Sequence, residues 1–211
     1  MESGAVIVKS IYGAGFGSNC YVALDDSMSN AVVIDPSVPY ERAVASLGFV
    51  PSFRAILLTH GHADHLLALD NWRNATGAPV MIGGADAYAL LHPEANCSRF
   101  LGLGDLTFGE PDVRLSDGDE IAVGDQTLRV LFTPGHSCGS VCFYCDGHLL
   151  SGDTLFADGG VGRSDLFGGD EGTLRASLSA LMELPSSTVV YPGHGPQTTI
   201  ASESCFHSYF L

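Results

Sequence analysis

His60, His62, Asp64 and His65 place four potential metal ligands within six residues, in the stretch Thr59-His60-Gly61-His62-Ala63-Asp64-His65. Imidazole nitrogens and carboxylate oxygens without thiolates suit zinc, and also iron or manganese. The cluster follows Ala55-Ile56-Leu57-Leu58, a short aliphatic run without alternation, of the kind that forms a strand buried on both faces. The histidines therefore begin where a strand ends, a common place for ligand-bearing loops in α/β proteins. On a helix, residues two apart would point about 200° from each other. A turning loop, with no side chain at Gly61, lets His60 and His62 converge on one ion. Asp64 is placed to cap a helix suggested by Leu66, Leu67, Leu69 and Trp72.

Three more strand ends carry a potential ligand beside glycine: Thr133-Pro134-Gly135-His136-Ser137, Ser151-Gly152-Asp153-Thr154 and Tyr191-Pro192-Gly193-His194-Gly195. Taken singly, each reads as a turn with a polar residue. Together with the first cluster they supply five histidines and two aspartates, enough for two ions with a shared carboxylate. Asp35 closes an earlier strand and is placed to accept hydrogen bonds from the ligand loop; Thr59, at the loop's start, is a second supporting residue.

The elements that must position these groups follow from the apolar pattern. Strands are predicted at 5–9, 20–24 and 31–35, separated by glycine-rich and Asp-Asp-Ser-Met-Ser-Asn turns, with a helix over 40–48. After the ligand loop come a helix over 65–75, a strand at 79–82 and a helical stretch around 84–91. Strands near 119–123, 126–132, 140–145 and 148–151, a helix over 172–183 and a strand at 188–191 complete the pattern. Two sheets packed face to face with helices outside, a four-layer αβ/βα sandwich of α/β class, accommodate this order. Residues 1–211 read as one domain. The glycines of 13–17 suggest a hairpin-like loop rather than a phosphate cradle. Residues 96–111 suggest no role, and 201–211 a short terminal helix. His92, His148 and His207 fall outside every motif and read as surface or turn residues, Cys138 as a core residue.

The formal net charge of −15, with Lys9 the only lysine, opposes nucleic acid and anionic lipid as partners. No run approaches the roughly 20 apolar residues that cross a bilayer, and the start Met1-Glu2-Ser3-Gly4 has no secretory pattern, so a cytoplasmic location is expected. The six cysteines then read as reduced, mostly buried thiols. Cys142 and Cys145, three apart on a predicted strand, face opposite ways and do not form a ligand pair.

The set Thr59-His60-x-His62-x-Asp64-His65, Gly135-His136-Ser137, Gly152-Asp153-Thr154-Leu155-Phe156 and Gly193-His194-Gly195 resembles the ligand motifs of the metallo-β-lactamase superfamily. Within it, Gly162-Arg163-Ser164-Asp165-Leu166 and the Pro-Gly-His-Gly-Pro ending resemble small hydroxyacylglutathione hydrolase (glyoxalase II)-like proteins. The resemblance implies the metallo-β-lactamase fold, with one ion on His60, His62 and His136, another on Asp64, His65 and His194, and Asp153 bridging. It implies two divalent ions, zinc first, and cleavage of a small-molecule thioester such as S-lactoylglutathione by a metal-bridging hydroxide, with Asp64 also in the catalytic set and Arg163 toward substrate. The chain ends 17 residues after His194, so the C-terminal helical domain of full-length glyoxalase II is expected to be missing. The Gly-Arg-Ser-Asp segment also resembles the persulfide dioxygenases, in which His60, His136 and Asp153 would hold one iron. Lactone or β-lactam hydrolysis would use the same site.

Overall fold

The computed structural model describes residues 6–12 and 18–207; the predicted loop at 13–17 lies outside them. Twelve strands form two sheets of six among these residues. The first is β1 (Ile7–Tyr12), β2 (Asn19–Leu24), β3 (Asn30–Ile34), β4 (Ser52–Leu58), β5 (Val80–Gly83) and β6 (Val113–Leu115), in that spatial order. β1 to β3 form an antiparallel meander, and β3 to β6 run parallel. The second sheet holds β7 (Glu120–Val123), β8 (Gln126–Phe132), β9 (Val141–Cys145), β10 (His148–Gly152), β11 (Val189–Pro192) and β12 (Thr198–Thr199). It is antiparallel except where β10 pairs with β11.

Alternation along the strands sorts the side chains into three cores. Val22, Leu24, Ile56 and Leu58 face outward onto the helix layer of α1 (Tyr40–Leu47) and α2 (Leu69–Thr76), where Trp72 is buried. Tyr21, Ala23, Ala55 and Leu57 face the second sheet, meeting Val141, Phe143 and Leu150. Cys142, Leu149 and Val190 face out again onto α3 (Glu171–Met182) and the start of α4 (Ile200–His207). Burial on both faces is why these strands read as apolar runs. The layers are those of an αβ/βα sandwich, and Cys142 and Cys145 enter different cores.

Several predicted elements differ locally. The helix expected over 65–75 begins only at Leu69; Ala63–His65 is one 3-10 turn. Asp64 caps neither, because its carboxylate turns instead toward His194 Nε2 at 3.2 Å. The stretch around 84–91 is two 3-10 turns, Gly84–Asp86 and Ala89–Leu91. There the Asp86 carboxylate is drawn away to Gly61 and Gly139, which sit in other loops. Strands β6 and β12, three and two residues long, are too short for periodicity to show. Cys138 is exposed rather than in the core, since it lies on the loop between β8 and β9. His148 is half-buried in β10, its Nδ1 3.0 Å from the Tyr191 hydroxyl, rather than at the surface. His92 stacks on Tyr88, and the side chain of His207 lies outside the described residues.

Candidate metal centre

All seven predicted ligands meet at one end of the sandwich. His60, His62, Asp64 and His65 come from the loop after β4, His136 from the β8–β9 loop, and Asp153 and His194 from the ends of β10 and β11. Three groups have ligand atoms within 4.8 Å of one another: His60, His62 and His136; His60, His65 and Asp153; and Asp64, His65 and His194. Asp153 reaches both sides, with Oδ1 3.3 Å from His65 Nε2 and Oδ2 3.6 Å from both His136 Nε2 and His194 Nε2.

Hydrogen bonds behind the rings fix which nitrogen faces inward. Asp35, buried and at φ 51, accepts from Thr59 N at 2.8 Å and Thr59 Oγ1 at 2.7 Å. It also accepts from His65 Nδ1 at 2.9 Å, which turns His65 Nε2 toward the centre. Thr59 Oγ1 has spent its proton on Asp35, so it accepts from His60 Nδ1 at 3.0 Å. His60 Nε2 is then a lone-pair nitrogen, and it is buried with no hydrogen-bond partner. His136 Nδ1 donates to the Arg163 carbonyl at 2.7 Å and turns Nε2 toward His62 Nδ1 at 2.9 Å. Asp35 and Thr59 thus stand where the sequence suggested. Arg163 contributes its backbone to the site.

Three buried polar atoms in the site have no hydrogen-bond partner. Besides His60 Nε2, buried His62 Nε2 and Asp153 Oδ1 make no hydrogen bond, although such orphans ordinarily cost folding energy. A tetrahedron with bonds of about 2.05 Å has edges of about 3.3 Å; the His65–His194 nitrogen pair is 3.3 Å apart and Asp64 Oδ2 is 3.2 Å from His194 Nε2. The donor set, its spacing and its orphaned atoms fit divalent cations.

Charge is divided unevenly across the site. Burial, with the neighbouring histidines, pushes His60 well below its ordinary pKa and His62 down to about 3. For His65 burial acts downward as well, but the charges of Asp153, Asp64 and Asp35 outweigh it and hold the ring well above the ordinary value. Burial raises Asp153, and the opposing charge of His65 brings it well below the carboxylate range. One side is neutral imidazole ready to donate lone pairs; the other is rich in carboxylate.

Two glycines are required by the geometry. A Cβ on Gly193 would collide with Asp153 Oδ1 and lie 2.7 Å from His65 Cε1. Gly152, at φ 49, packs against Thr59 where a Cβ would strike the hydroxyl.

Some contributors were not foreseen from sequence. Buried Asp86 accepts from Gly61 N at 2.8 Å, Gly139 N at 2.7 Å and Ser137 Oγ at 2.7 Å, tying the His60–His62 loop to the His136 loop. Its signal was present: Gly83-Gly84-Ala85-Asp86 follows a strand much as the other ligand-bearing turns do. Buried Glu203 of α4 accepts from Asp158 N, Gly159 N and Thr198 Oγ1, pinning the segment between Asp153 and Arg163. Residues 96–111, unassigned from sequence, supply Cys97, Phe100 and Leu101 to the wall of a cavity of about 280 Å³ over His62, Asp64, His136, Asp153 and His194. Arg163 lines that cavity too, its guanidinium held by Asp165 at 2.7 and 2.8 Å and lying 4.9 Å over the Phe100 ring.

Comparison with known proteins agrees with this geometry. Residues 13–194 match the profile of the family described as the Metallo-beta-lactamase superfamily. The chain is 38% identical over 193 residues to the probable metallo-hydrolase YqgX of Bacillus subtilis, covering 88% of this chain and 89% of that one. It is 34% identical over 176 residues to a hydroxyacylglutathione hydrolase of Methylobacillus flagellatus, covering 82% of this chain and 61% of that one. Among solved structures, the BLEG-1 B3 metallo-beta-lactamase superposes with TM-score 0.87 at 35% identity, covering 97% of this chain and 100% of that one. TTHA1623 in a di-iron-bound form gives TM-score 0.78 at 34% identity, with 96% and 100% covered. ETHE1 from Myxococcus xanthus gives 0.74 at 29%, with 95% and 83% covered.

Proposed function

The chain belongs to the metallo-β-lactamase superfamily of metal-dependent enzymes, and we propose that it is a hydrolase that cleaves a thioester, hydroxyacylglutathiones such as S-lactoylglutathione being the first class to test. The observation that carries the reading is the pair of ligand clusters meeting at one carboxylate, Asp153, on the floor of a cavity. His60, His62 and His136 would hold one ion, Asp64, His65 and His194 the other, with Asp153 between them. Two divalent ions held there, zinc first and iron or manganese also suited, would supply Lewis acidity toward a carbonyl oxygen and would lower the pKa of water at the site.

The protein's own groups do the rest. Asp35, Thr59 and the Arg163 carbonyl hold three imidazoles in the tautomer that presents Nε2. Phe100, Leu101 and Phe156 wall the cavity and reduce water around a bound acyl group. A thiol leaves readily as thiolate, since its pKa is about 8.5, so cleavage needs no separate acid. The name of the Methylobacillus flagellatus relative supports hydroxyacylglutathione as the substrate class, and the di-iron form of TTHA1623 supports a two-ion site. The whole chain acts as one domain on a small molecule, with no nucleic acid or membrane partner. The charge of −15 supports that, and among the described residues no helix is long and apolar enough to cross a membrane.

A second reading, an iron-dependent persulfide dioxygenase on His60, His136 and Asp153, draws on the Gly162-Arg163-Ser164-Asp165 segment at the cavity and on the likeness to ETHE1. Elemental analysis of protein purified without added metal, paired with S-lactoylglutathione turnover in Asp64→Ala and His194→Ala variants, tests both. Two ions per chain, with turnover that falls about a thousandfold in either variant, ~4 kcal/mol, is the expected result. Turnover unchanged in the variants would overturn the mechanism. One iron per chain with oxygen uptake on glutathione persulfide would favour the dioxygenase, and cleavage of a lactone or β-lactam alone would reassign the substrate.

A further inference from the structure

The wall of the metal cavity is apolar, and its one cation is already engaged. Cys97, Phe100, Leu101, Phe156 and Leu166 surround the ligand atoms, and of the chain's nine lysines and arginines only Arg163 lines this space. Its guanidinium faces both Asp165 oxygens and the Phe100 ring. Arg175 stands in a neighbouring cavity that Arg163 also lines and bonds to Glu171 at 2.7 Å, and Arg99, beside Phe100 in the chain, is paired with Asp105. A carrier bearing several charges, such as glutathione, would find no unengaged lysine or arginine on this wall to pair with its carboxylates, in a protein that is itself strongly anionic.

Aromatic rings also stand exposed on the cavity wall and on the residue after Leu166. Phe100 is 62% exposed. Beside Leu166, Phe167 is 51% exposed and stacks on Tyr88, ring centroids 5.8 Å apart, and Tyr88 in turn stacks on His92. Exposed aromatics scattered singly need no explanation, whereas Phe167, Tyr88 and His92 stack on one another beside the chain segment that lines the cavity, a grouping suited to a binding track. At about 280 Å³ the cavity lies just below the roughly 300–1,000 Å³ that houses a drug-sized ligand, so it takes the reacting end of a substrate and the track takes what extends beyond.

Resting on the thioester reading above, we propose that the preferred substrate carries an apolar acyl group, aryl or medium-chain alkyl, seated against Phe100, Leu101 and Leu166, and that Phe100 sets this preference. The reaction is hydrolysis of the acyl–sulfur bond, in which water supplies hydroxyl to the acyl carbon and a proton to the thiol. Two measurements test it. The first compares kcat/KM for 3-phenylpropionyl and acetyl thioesters of N-acetylcysteamine, a neutral thiol, with that for S-lactoylglutathione. The second titrates the product acids, 3-phenylpropionate and lactate, onto the protein by calorimetry.

The phenylpropionyl thioester is expected to be favoured and phenylpropionate to bind more tightly than lactate. Phe100→Ala should remove about tenfold of each preference, mainly through KM, with the acetyl thioester losing less than the phenylpropionyl thioester and Phe100→Leu restoring most of the loss. Exposure of Phe100 keeps the variant foldable. S-lactoylglutathione turned over as well as the phenylpropionyl thioester, or lactate bound as tightly as phenylpropionate, would overturn the proposal. Phe100-dependent binding of phenylpropionate without cleavage of any thioester would support the apolar subsite and overturn the thioesterase reading alone.

Discussion

Asp25 and Asp86 are both buried carboxylates that accept several hydrogen bonds, at opposite ends of the sandwich. Asp25, just past β2, accepts from Ser29 N at 2.9 Å, Asn30 N at 3.1 Å, Ser27 Oγ at 3.0 Å and Asn30 Nδ2 at 2.7 Å, all within five residues. It closes one turn. Asp86 takes its partners from Gly61, Ser137 and Gly139, between 25 and 53 residues away. It holds two ligand loops in register. The hydrogen-bond chemistry is the same; what differs is the sequence distance bridged, and with it whether loss of the carboxylate is felt locally or at the site.

The largest separation should come from Asp86→Ala. Its loss leaves Gly61 N and Gly139 N without acceptors and frees the loops that carry His62 and His136. Metal retained after dialysis and kcat/KM should both fall about ten- to a hundredfold, the range for groups that orient ligands. Asp25→Ala should cost about 1 kcal/mol and lower Tm by about 2–4 °C, with metal content and activity per folded molecule unchanged. Equal loss of metal in both variants would break the contrast.

The smallest effect is in the pH dependence. The Asn30 side-chain amide, with further donors of the turn outweighing burial, holds the Asp25 carboxyl below its ordinary value. A carboxyl depressed in the folded state contributes stability above its unfolded pKa and loses it as pH falls through the folded one. The stability gap between the native protein and Asp25→Ala should therefore be constant from neutrality to about pH 4 and narrow below it, as read by urea unfolding across that range. A gap that widened on acidification would mean the turn does not favour the charged form.

The same contrast explains what the sequence disclosed. The Asp-Asp-Ser-Met-Ser-Asn turn was legible because its whole hydrogen-bond network lies within its own letters. The seven predicted ligands were legible for another reason: four crowd into six residues after an apolar strand, the other three sit beside glycine at further strand ends, and the constellation resembles a known motif set. The four layers followed from runs such as Ala55 to Leu58, buried on both faces. Glu203 was not seen, because a carboxylate whose partners are loop amides far along the chain leaves no periodic mark; Asp86 has a glycine-marked strand end before it, but its partners lie as far away. The cavity wall of Cys97, Phe100 and Leu101 was missed for want of regular structure in 96–111. Asp64 misled as a helix cap because that position satisfies both local capping and ligation, and the distant His194 decides between them.

His60, His62, Asp64 and His65 hang from the first sheet, whereas His136, Asp153 and His194 hang from the second. Each cluster of the proposed assignment therefore draws on both sheets. Ligation there would act as a reversible staple between two halves of the fold, and the free energy of filling it would be indistinguishable from that of docking one sheet on the other. Chelation would then do more than silence the enzyme: it would loosen the seam along which the molecule is assembled.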